Sequence, residues 1–130
     1  MRSIDPPRRR AAPLTLRGHS INGVERERRL TKLSLLLVVK ADCQACDTLL
    51  AAGPDAFEGI DVFYLAASDS PEFETFGRDV LLSSSALDAL EVRWPPVYLV
   101  VDPARREVVT EGAVFDADQV RSEIAPHLST

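Results

Sequence analysis

The chain has 130 residues, of which 45% are hydrophobic and 27% are charged, with a formal net charge of −5. This length suffices for one ordinary domain and is too short for two independently stable cores. The composition excludes wholesale disorder, and an acidic balance of this size gives no general attraction for nucleic acid.

The first eleven residues are rich in arginine and proline, which favours a flexible arm. The cluster Arg8-Arg9-Arg10 is expected to be a solvated tail with little affinity for anionic lipid or nucleic acid at physiological salt. The arm also lacks the apolar stretch of a signal peptide. We therefore expect a single domain over residues 12–130 in a cytoplasmic protein. A periplasmic or membrane-tethered location is expected only if an anchor was trimmed from the start of the chain.

A short β-hairpin and an exposed connection are predicted next. Residues 14–17 and 21–24 lie on either side of a turn near Gly18, and Asn22-Gly23 is a second turn signal. Residues 25–29 alternate acidic and basic side chains, which is typical of a solvated segment.

Apolar runs, turn residues and helix caps predict the remaining elements. In chain order they are a strand at 33–39, a helix at 46–52, a strand at 60–66, a helix at 72–76, a strand at 80–82, a helix at 86–91, strands at 97–101 and 107–111, and a helix from Asp116 or Asp118 to about 128. The run at 33–39 is apolar except for Ser34, which fits a strand buried on both faces. It is far shorter than the roughly 20 residues of a transmembrane helix.

The order of these elements predicts an α/β fold with a central mixed sheet and helices on both faces. The crossover from the first buried strand to the second should be parallel and right-handed. The strands at 97–101 and 107–111 are joined by a turn and should pair antiparallel. We expect Ser84 or Ser85 to cap the third helix, and Pro126 to end or kink the last one.

Both cysteines of the chain, Cys43 and Cys46, stand in one C-x-x-C between the first buried strand and its helix. Unpaired N–H groups and the partial positive charge at a helix N-terminus favour a thiolate at Cys43, and the thiolate is the nucleophile. Cys46, one turn further on, can close a disulfide with Cys43 and release a mixed disulfide with a substrate. The pattern predicts Cys43 as the attacking residue and Cys46 as the resolving residue.

A metal site is the main alternative for a C-x-x-C motif. Structural zinc normally has four Cys or His ligands, and this chain would need both of its histidines, His19 and His127. Both lie in segments typical of surface positions. A Cu(I) chaperone would use the soft thiolates with a third ligand, but Met1 is the only methionine. We therefore predict no bound metal and keep the copper chaperone as a lesser alternative.

The sequence Trp94-Pro95-Pro96 stands immediately before a predicted strand. An X-Pro bond adopts the cis form at a small cost in free energy, so the Pro95–Pro96 bond can be a cis bond with a structural role. The alternative is a trans bond that simply starts an edge strand. Trp94 can cover a substrate beside the cysteines, or it can be a core or half-buried residue.

The order strand, C-x-x-C, helix, strand, helix, Pro-strand-turn-strand, helix resembles the thioredoxin superfamily. The sharpest motifs are Lys40-Ala41-Asp42-Cys43-Gln44-Ala45-Cys46 and Pro95-Pro96-Val97-Tyr98-Leu99-Val100-Val101-Asp102. The hairpin region before residue 33 and the segment 80–111 look more like the TlpA-like and MauD-like branch of thiol-disulfide reductases. The resemblance covers about residues 12–128.

This resemblance implies a thioredoxin-like fold with an N-terminal β-hairpin extension, and a protein-disulfide oxidoreductase activity. It implies protein dithiol or disulfide substrates and an unnamed electron donor or acceptor. Pro96 matches the cis-proline of the family, which lies against the C-x-x-C and lines the substrate groove; the Pro95 carbonyl and Trp94 complete the expected binding residues. We expect no cofactor beyond the Cys43–Cys46 disulfide, no nucleic acid and no integral membrane segment.

Three positions depart from the pattern of the family. Asp42 replaces a bulky residue before the first cysteine, and its carboxylate opposes a thiolate at Cys43, with Lys40 offsetting it in part. Leu37 stands where thioredoxin has a buried carboxylate that shuttles protons. Pro95 keeps the carbonyl that holds a substrate but lacks the N–H. These departures predict a narrow substrate range, with a redox-inactive partner-binding domain as the alternative.

Overall fold

Eight strands and four helices account for the regular structure of residues 10–128, which are the residues that the computed structural model describes. The strands are β1 (Arg10–Ala11), β2 (Thr15–His19), β3 (Glu25–Arg29), β4 (Ser34–Val38), β5 (Asp61–Ala66), β6 (Val80–Leu82), β7 (Val97–Asp102) and β8 (Glu107–Ala113). The helices are α1 (Gln44–Ala52), α2 (Pro71–Thr75), α3 (Ser84–Ala89) and α4 (Ala117–Leu128), with one 3-10 turn at Pro54–Ala56.

All eight strands join one mixed sheet in the order β1-β8-β7-β4-β5-β6-β2-β3. Strands β4, β5 and β6 are parallel, whereas β7 pairs antiparallel with β4 on one side and with β8 on the other. The predicted mixed α/β sheet and the antiparallel pairing of the last two long strands are therefore confirmed.

The central strand β4 divides the core into two layers, because its side chains alternate between the two faces of the sheet. Leu35 and Leu37 pack in one buried cluster with apolar residues of α1, α2 and α4. Leu36 and Val38 pack in a second buried cluster with apolar residues of α3. Every residue of β4 is buried, as predicted, so the sheet has helices on both faces.

The register places the ends of the parallel strands along one side of the sheet, which we call the carboxyl edge. Val38 at the end of β4 pairs with Leu65 of β5 and with Val97, the first residue of β7. Ala66 at the end of β5 pairs with Leu82 at the end of β6. The segment that follows β4 and the segment that precedes β7 therefore meet at this edge.

The N-terminal hairpin forms in a different register from the predicted one. Gly18 lies inside β2, and the turn falls at residues 20–24, where Gly23 has a φ of 80°. A side chain at Gly18 would overlap the carbonyl oxygen of Leu82, so this glycine serves a close approach between strands instead of a turn.

The segment Glu25–Arg29 is strand β3, so its prediction as an exposed connection was wrong. It pairs along its length with β2, and Arg17 lies opposite Glu27 with an ion pair of 3.6 Å. Strand β3 ends the sheet on that side. Charged side chains are typical of such an edge, because they discourage pairing with another chain.

Arg10 and Ala11, assigned from the sequence to the flexible arm, form β1 and pair with Val108 and Glu107 of β8. The side chain of Arg10 is only 19% exposed; it forms ion pairs with Glu91 and Glu111. A solvated tail was therefore the wrong prediction for Arg10, and ordered structure begins before the predicted boundary at residue 12. Arg8, Arg9 and the rest of the predicted arm lie outside the described residues.

Two helix ends also differ from the predictions. Ser83 caps α3, because its Oγ accepts a hydrogen bond from the Ala86 N–H at 3.0 Å; Ser84 and Ser85 lie inside the helix. Asp116 caps α4 as predicted, accepting from the Gln119 N–H at 2.7 Å. Helix α4 continues through Pro126 to its last residue, so that proline does not end the helix.

The phenol of Tyr98 ties β7 to α4. Its hydroxyl donates to Oε1 of Glu123 at 2.7 Å, and the Gln119 side-chain amide donates to Oε2 of the same carboxylate at 2.8 Å. Burial, followed by the hydrogen bond to Glu123, raises the pKa of Tyr98 to about 12. The hydrogen bonds from Gln119 and then from Tyr98 lower the pKa of Glu123.

We expect Tyr98→Phe to lower the free energy of unfolding at neutral pH, because it removes this hydrogen bond. The folded pKa of Tyr98 lies above the unfolded value of 10.0, so its contribution is full below pH 10.0 and disappears as the pH rises through about 12. The folded pKa of Glu123 lies below 4.5, so its contribution also declines as the pH falls below 4.5.

Denaturant unfolding of the wild type and of Tyr98→Phe across this pH range measures the difference in their free energies of unfolding. Tyr64→Phe is the control for the loss of a tyrosine hydroxyl elsewhere in the core. A difference between wild type and Tyr98→Phe that stays constant as the pH rises from 10.0 to about 12 would contradict the assignment.

Candidate redox site

Cys43 is the N-cap of α1, on the segment that leaves β4 at the carboxyl edge. Its backbone is extended, with φ −133° and ψ 107°, and its Sγ accepts a hydrogen bond from the Cys46 N–H at 3.1 Å. Its carbonyl oxygen accepts from the Asp47 N–H at 3.1 Å. The sulfur thus occupies the place of a capping oxygen, where N–H groups and the helix dipole favour negative charge.

Cys43 and Cys46 form a disulfide, with their Cα atoms 5.2 Å apart. Cys46 is fully buried in the same apolar cluster as Leu37 and Leu49, whereas Cys43 is partly exposed. An incoming sulfur can therefore approach Cys43 and not Cys46. This order of exposure agrees with the predicted attacking and resolving roles.

The surroundings of Cys46 are apolar. Leu37 is fully buried beside it in that cluster, at the position where the resemblance places a proton-shuttling carboxylate. A leucine cannot accept or donate a proton, so proton transfer to Cys46 must use another route.

Asp42 and Lys40 are both exposed on the loop between β4 and α1. Asp42 has a φ of 53°, in the left-handed region that asparagine and aspartate enter more readily than other residues with a side chain. Cys43 itself caps α1, so Asp42 does not serve as the helix cap. Asp42 is the residue immediately before Cys43 in the sequence.

The bond between Pro95 and Pro96 is cis, as the resemblance implied. Pro96 lies one register position beyond the pair Val38–Val97, and its carbonyl accepts from the Val114 N–H at 3.2 Å. The structure therefore brings the Pro95-Pro96 segment and the loop that carries Cys43 to the same carboxyl edge of adjacent strands.

Trp94 is 84% exposed, so of its two alternatives the core or half-buried position is wrong. Phe115, which the sequence did not single out, is 71% exposed and follows Val114, the hydrogen-bond partner of Pro96. The signal that could have found Phe115 was an aromatic residue directly before the Asp116 helix cap. It was missed because β8 was predicted to end at residue 111, two residues before its observed end.

The two histidines do not join the cysteines in a metal site. His19 lies on β2 opposite Leu82, and His127 lies in the last turn of α4. Within residues 10–128, no group of three or more His, Cys, Asp and Glu side chains is placed to hold a metal ion. The same residues include no helix with the length and apolar character needed to cross a membrane.

A pocket of about 800 Å³ opens between the β2–β3 hairpin and the start of α3, with Arg17, Arg26, Asp69 and Ser84 among its lining residues. Neither cysteine lines it. The sulfur of Cys43 therefore lies outside this pocket, on a partly exposed residue at the carboxyl edge, which suits a macromolecular substrate better than a small enclosed one.

Solved structures of thiol-disulfide proteins have a similar arrangement. The thioredoxin domain of a thiol-disulfide oxidoreductase from Bacteroides vulgatus has a TM-score of 0.67 and 14% identity, covering 92% of this chain and 96% of that chain. For MTB dsbF the TM-score is 0.65 at 17% identity, over 91% and 99%. For StoA from Bacillus subtilis it is 0.62 at 11% identity, over 87% and 98%. No family model matches the chain, and no curated protein matches its sequence.

Identities of 11–17% establish a shared fold. The predicted thioredoxin-like fold is therefore confirmed, and the β2–β3 hairpin is its N-terminal strand extension.

We expect Cys43 to be alkylated well before Cys46 once the disulfide is reduced, because Cys46 has no exposed surface. Limited treatment with iodoacetamide, followed by peptide mass analysis, gives the labelled fraction at each position. Preferential labelling of Cys46 would reverse the assignment of the two roles.

We expect Asp42→Asn to lower the pKa of the reduced Cys43 and to speed its alkylation at neutral pH. A carboxylate about 4 Å from a thiolate opposes it by on the order of 1 kcal/mol in water, whereas a helix N-terminus favours it by about 0.3–1 kcal/mol at an exposed site. Removing the carboxylate leaves the helix term unopposed, and asparagine tolerates the left-handed backbone.

The pH dependence of iodoacetamide labelling measures this pKa in both proteins. Asp88→Asn is the matched control, since Asp88 is an exposed aspartate on α3. An unchanged or raised Cys43 pKa in Asp42→Asn would show that the Asp42 carboxylate points away from the sulfur.

Proposed function

We propose that the protein is a thiol-disulfide oxidoreductase of the TlpA-like branch, acting on protein dithiols or disulfides. The observation that carries this proposal is the partly exposed sulfur of Cys43, which caps α1 in a disulfide with the fully buried Cys46 on a thioredoxin-like fold. The β2–β3 hairpin ahead of β4 and the β6–α3 segment between β5 and β7 support the TlpA-like assignment.

In the reducing direction, the Cys43 thiolate attacks one sulfur of a substrate disulfide. The Cys43–substrate S–S bond forms, the substrate S–S bond breaks, and the leaving substrate thiolate takes a proton from water. Cys46 then gives up its thiol proton to solvent and its sulfur attacks Sγ of Cys43. The Cys43–Cys46 disulfide forms, the Cys43–substrate S–S bond breaks, and the second substrate sulfur leaves as a thiolate that takes a proton from water. Two electrons pass from the protein to the substrate, and the reverse sequence oxidises a substrate dithiol.

The N-terminus of α1 stabilises the negative charge of the Cys43 thiolate in this step. The Cys46 N–H already points at Sγ of Cys43, so it can donate to the thiolate without rearrangement. No cofactor is required, because the two sulfurs hold the redox equivalents, and the electrons come from or pass to another protein.

The surface around Cys43 supports a protein substrate. The Pro95 carbonyl is available to accept a hydrogen bond from a substrate backbone N–H, and Trp94 is exposed beside it. The alternatives are a redox-inactive binding domain and a Cu(I) chaperone, and the experiment that follows gives a different result for each.

We expect the wild-type protein to accelerate the reduction of insulin by dithiothreitol, and Cys43→Ser to fall to the uncatalysed rate. Reduced Cys46→Ser should form a mixed disulfide with insulin that persists, because the resolving sulfur is gone. Gel analysis without reductant, with the double cysteine variant as control, detects this adduct.

A wild-type rate equal to the uncatalysed rate would favour the redox-inactive alternative. Copper in a one-to-one ratio with the reduced protein, lost in Cys43→Ser, would favour the chaperone.

A further inference from the structure

The last turn of α1 is held by side chains from outside the helix. An α-helix leaves the carbonyl groups of its last turn without partners inside the helix. In α1, Arg78 supplies those partners: its Nε donates to the Leu50 carbonyl at 2.6 Å and its Nη2 donates to the Ala51 carbonyl at 3.3 Å. The Tyr64 hydroxyl donates to the Leu49 carbonyl at 2.8 Å. A strand residue and an arginine from the loop before β6 therefore cap the end of α1.

The guanidinium of Arg78 lies against the end of the helix. Gly53, the residue that follows α1, has a φ of 78°, and a Cβ there would lie 2.8, 2.9 and 3.0 Å from guanidinium atoms of Arg78. Only glycine leaves this room with that backbone conformation. Burial raises the pKa of Tyr64, and the positive charge of Arg78 opposes that shift. Arg78 thus places a full positive charge beside Gly53 and Tyr64.

This positive charge meets the negative end of the helix dipole. The peptide dipoles of a helix sum to a partial negative charge at its C-terminus, where a cation is stabilising. The last turn of α1 contains no basic residue of its own. The carboxylate next to Arg78 in the sequence, Asp79, forms its ion pair with Arg28. The cation for this helix end therefore comes from a residue 28 positions away in the sequence.

The opposite end of the same helix carries the reactive sulfur. Cys43 is the N-cap of α1, and its Sγ accepts the Cys46 N–H. Nine residues at 1.5 Å each make the helix about 13 Å long, so its C-terminal charge is within electrostatic reach of Sγ at low ionic strength. The negative end of the dipole opposes a thiolate at Cys43, and a cation at that end cancels part of this opposition.

We infer that Arg78 is a positioning residue of the thiol-disulfide exchange, a proposal that rests on the oxidoreductase function above. It holds the last turn of α1 and offsets the negative end of the helix dipole, so that the positive end stabilises the Cys43 thiolate more strongly. Arg78 acts through α1 and takes no part in the sulfur chemistry.

Other charged and titratable groups also act on the Cys43 sulfur. Three residues that flank it in the sequence are charged: Lys40, Asp42 and Asp47. The apolar cluster that packs against Cys43 contains the buried phenols of Tyr64 and Tyr98. All of these groups stay the same in the variants that follow, so their effects cancel when the variants are compared.

The experiment measures the pKa of Cys43 in the reduced full chain from the pH dependence of iodoacetamide labelling, with peptide mass analysis to separate Cys43 from Cys46. We expect Arg78→Gln to raise this pKa by about 0.2–0.8 units at low ionic strength. That range corresponds to the loss of a unit charge about 15 Å from the sulfur, at a dielectric constant between about 80 and about 20. In about 1 M NaCl the difference should shrink, because the Debye length falls to about 3 Å.

Two further variants separate the charge of Arg78 from its structural role. Arg78→Lys keeps the charge but cannot reproduce the planar pair of hydrogen bonds, so it should lower the free energy of unfolding while its Cys43 pKa stays close to that of the wild type. Arg105→Gln is the matched control, because it removes the same charge from an exposed residue of the β7–β8 turn. It should move the Cys43 pKa clearly less than Arg78→Gln does.

A variant that leaves Arg78 in place keeps the inference testable if Arg78→Gln does not fold. Ala52 is the exposed last residue of α1, and Ala52→Glu puts a negative charge at the same helix end. We expect it to raise the Cys43 pKa as well. An unchanged pKa in Ala52→Glu, or in a folded Arg78→Gln, would overturn the inference.

A purely structural role and a failure of the proposed function give different results. If Arg78→Gln and Arg78→Lys lower the free energy of unfolding and shift the Cys43 pKa equally, the charge of Arg78 has no effect on the sulfur and the inference is overturned. A shift as large in Arg105→Gln as in Arg78→Gln also overturns it. A wild type that fails to accelerate insulin reduction overturns the oxidoreductase, whereas the comparison of pKa values between variants decides the electrostatic role of Arg78 independently.

Discussion

The complete burial of β4 is the constraint on which the rest of the structure depends. Its five residues contact water nowhere, and its side chains fill two separate apolar layers. Burying a leucine or valine side chain contributes about 1.5–3 kcal/mol, so the strand has one stable position between α1 and α3. Because β4 is fixed, the loop that leaves it delivers Cys43 to one place at the carboxyl edge, and the antiparallel pairing with β7 delivers Pro96 to the same place.

The same burial separates the two sulfurs by exposure. Helix α1 packs one face against the layer that contains Leu37, so Cys46 points into the core while the N-cap residue stays at the surface. A three-residue spacing therefore gives one accessible and one protected sulfur without a special loop. The apolar packing that protects Cys46 also excludes a titratable group at residue 37.

The outer strands show how charge shapes the margins of the sheet. Strand β3 carries only arginine and glutamate, and its pairing with β2 satisfies the backbone while the side chains remain in water. At the opposite margin, Arg10 holds β1 to its surroundings through Glu91 and Glu111. Both margins are polar, whereas Trp94 and Phe115 are exposed in the segments joined by the Pro96–Val114 hydrogen bond.

The sequence by itself determined the buried strands, the helix that Cys43 caps, the spacing that joins Cys43 to Cys46 and the place of Pro96 before β7, because these depend on local runs and on spacing within one helical turn. Only the tertiary structure decided that residues 25–29 form a strand, that Arg10 belongs to the sheet, and that Trp94 and Phe115 are exposed. The first depends on a hairpin register that the sequence placed elsewhere, and the second on Glu111, which is distant in the sequence. Alternating charges predict a solvent-exposed segment whether or not that segment pairs with a neighbouring strand. The exposure of an aromatic side chain depends on which surfaces the folded elements leave uncovered.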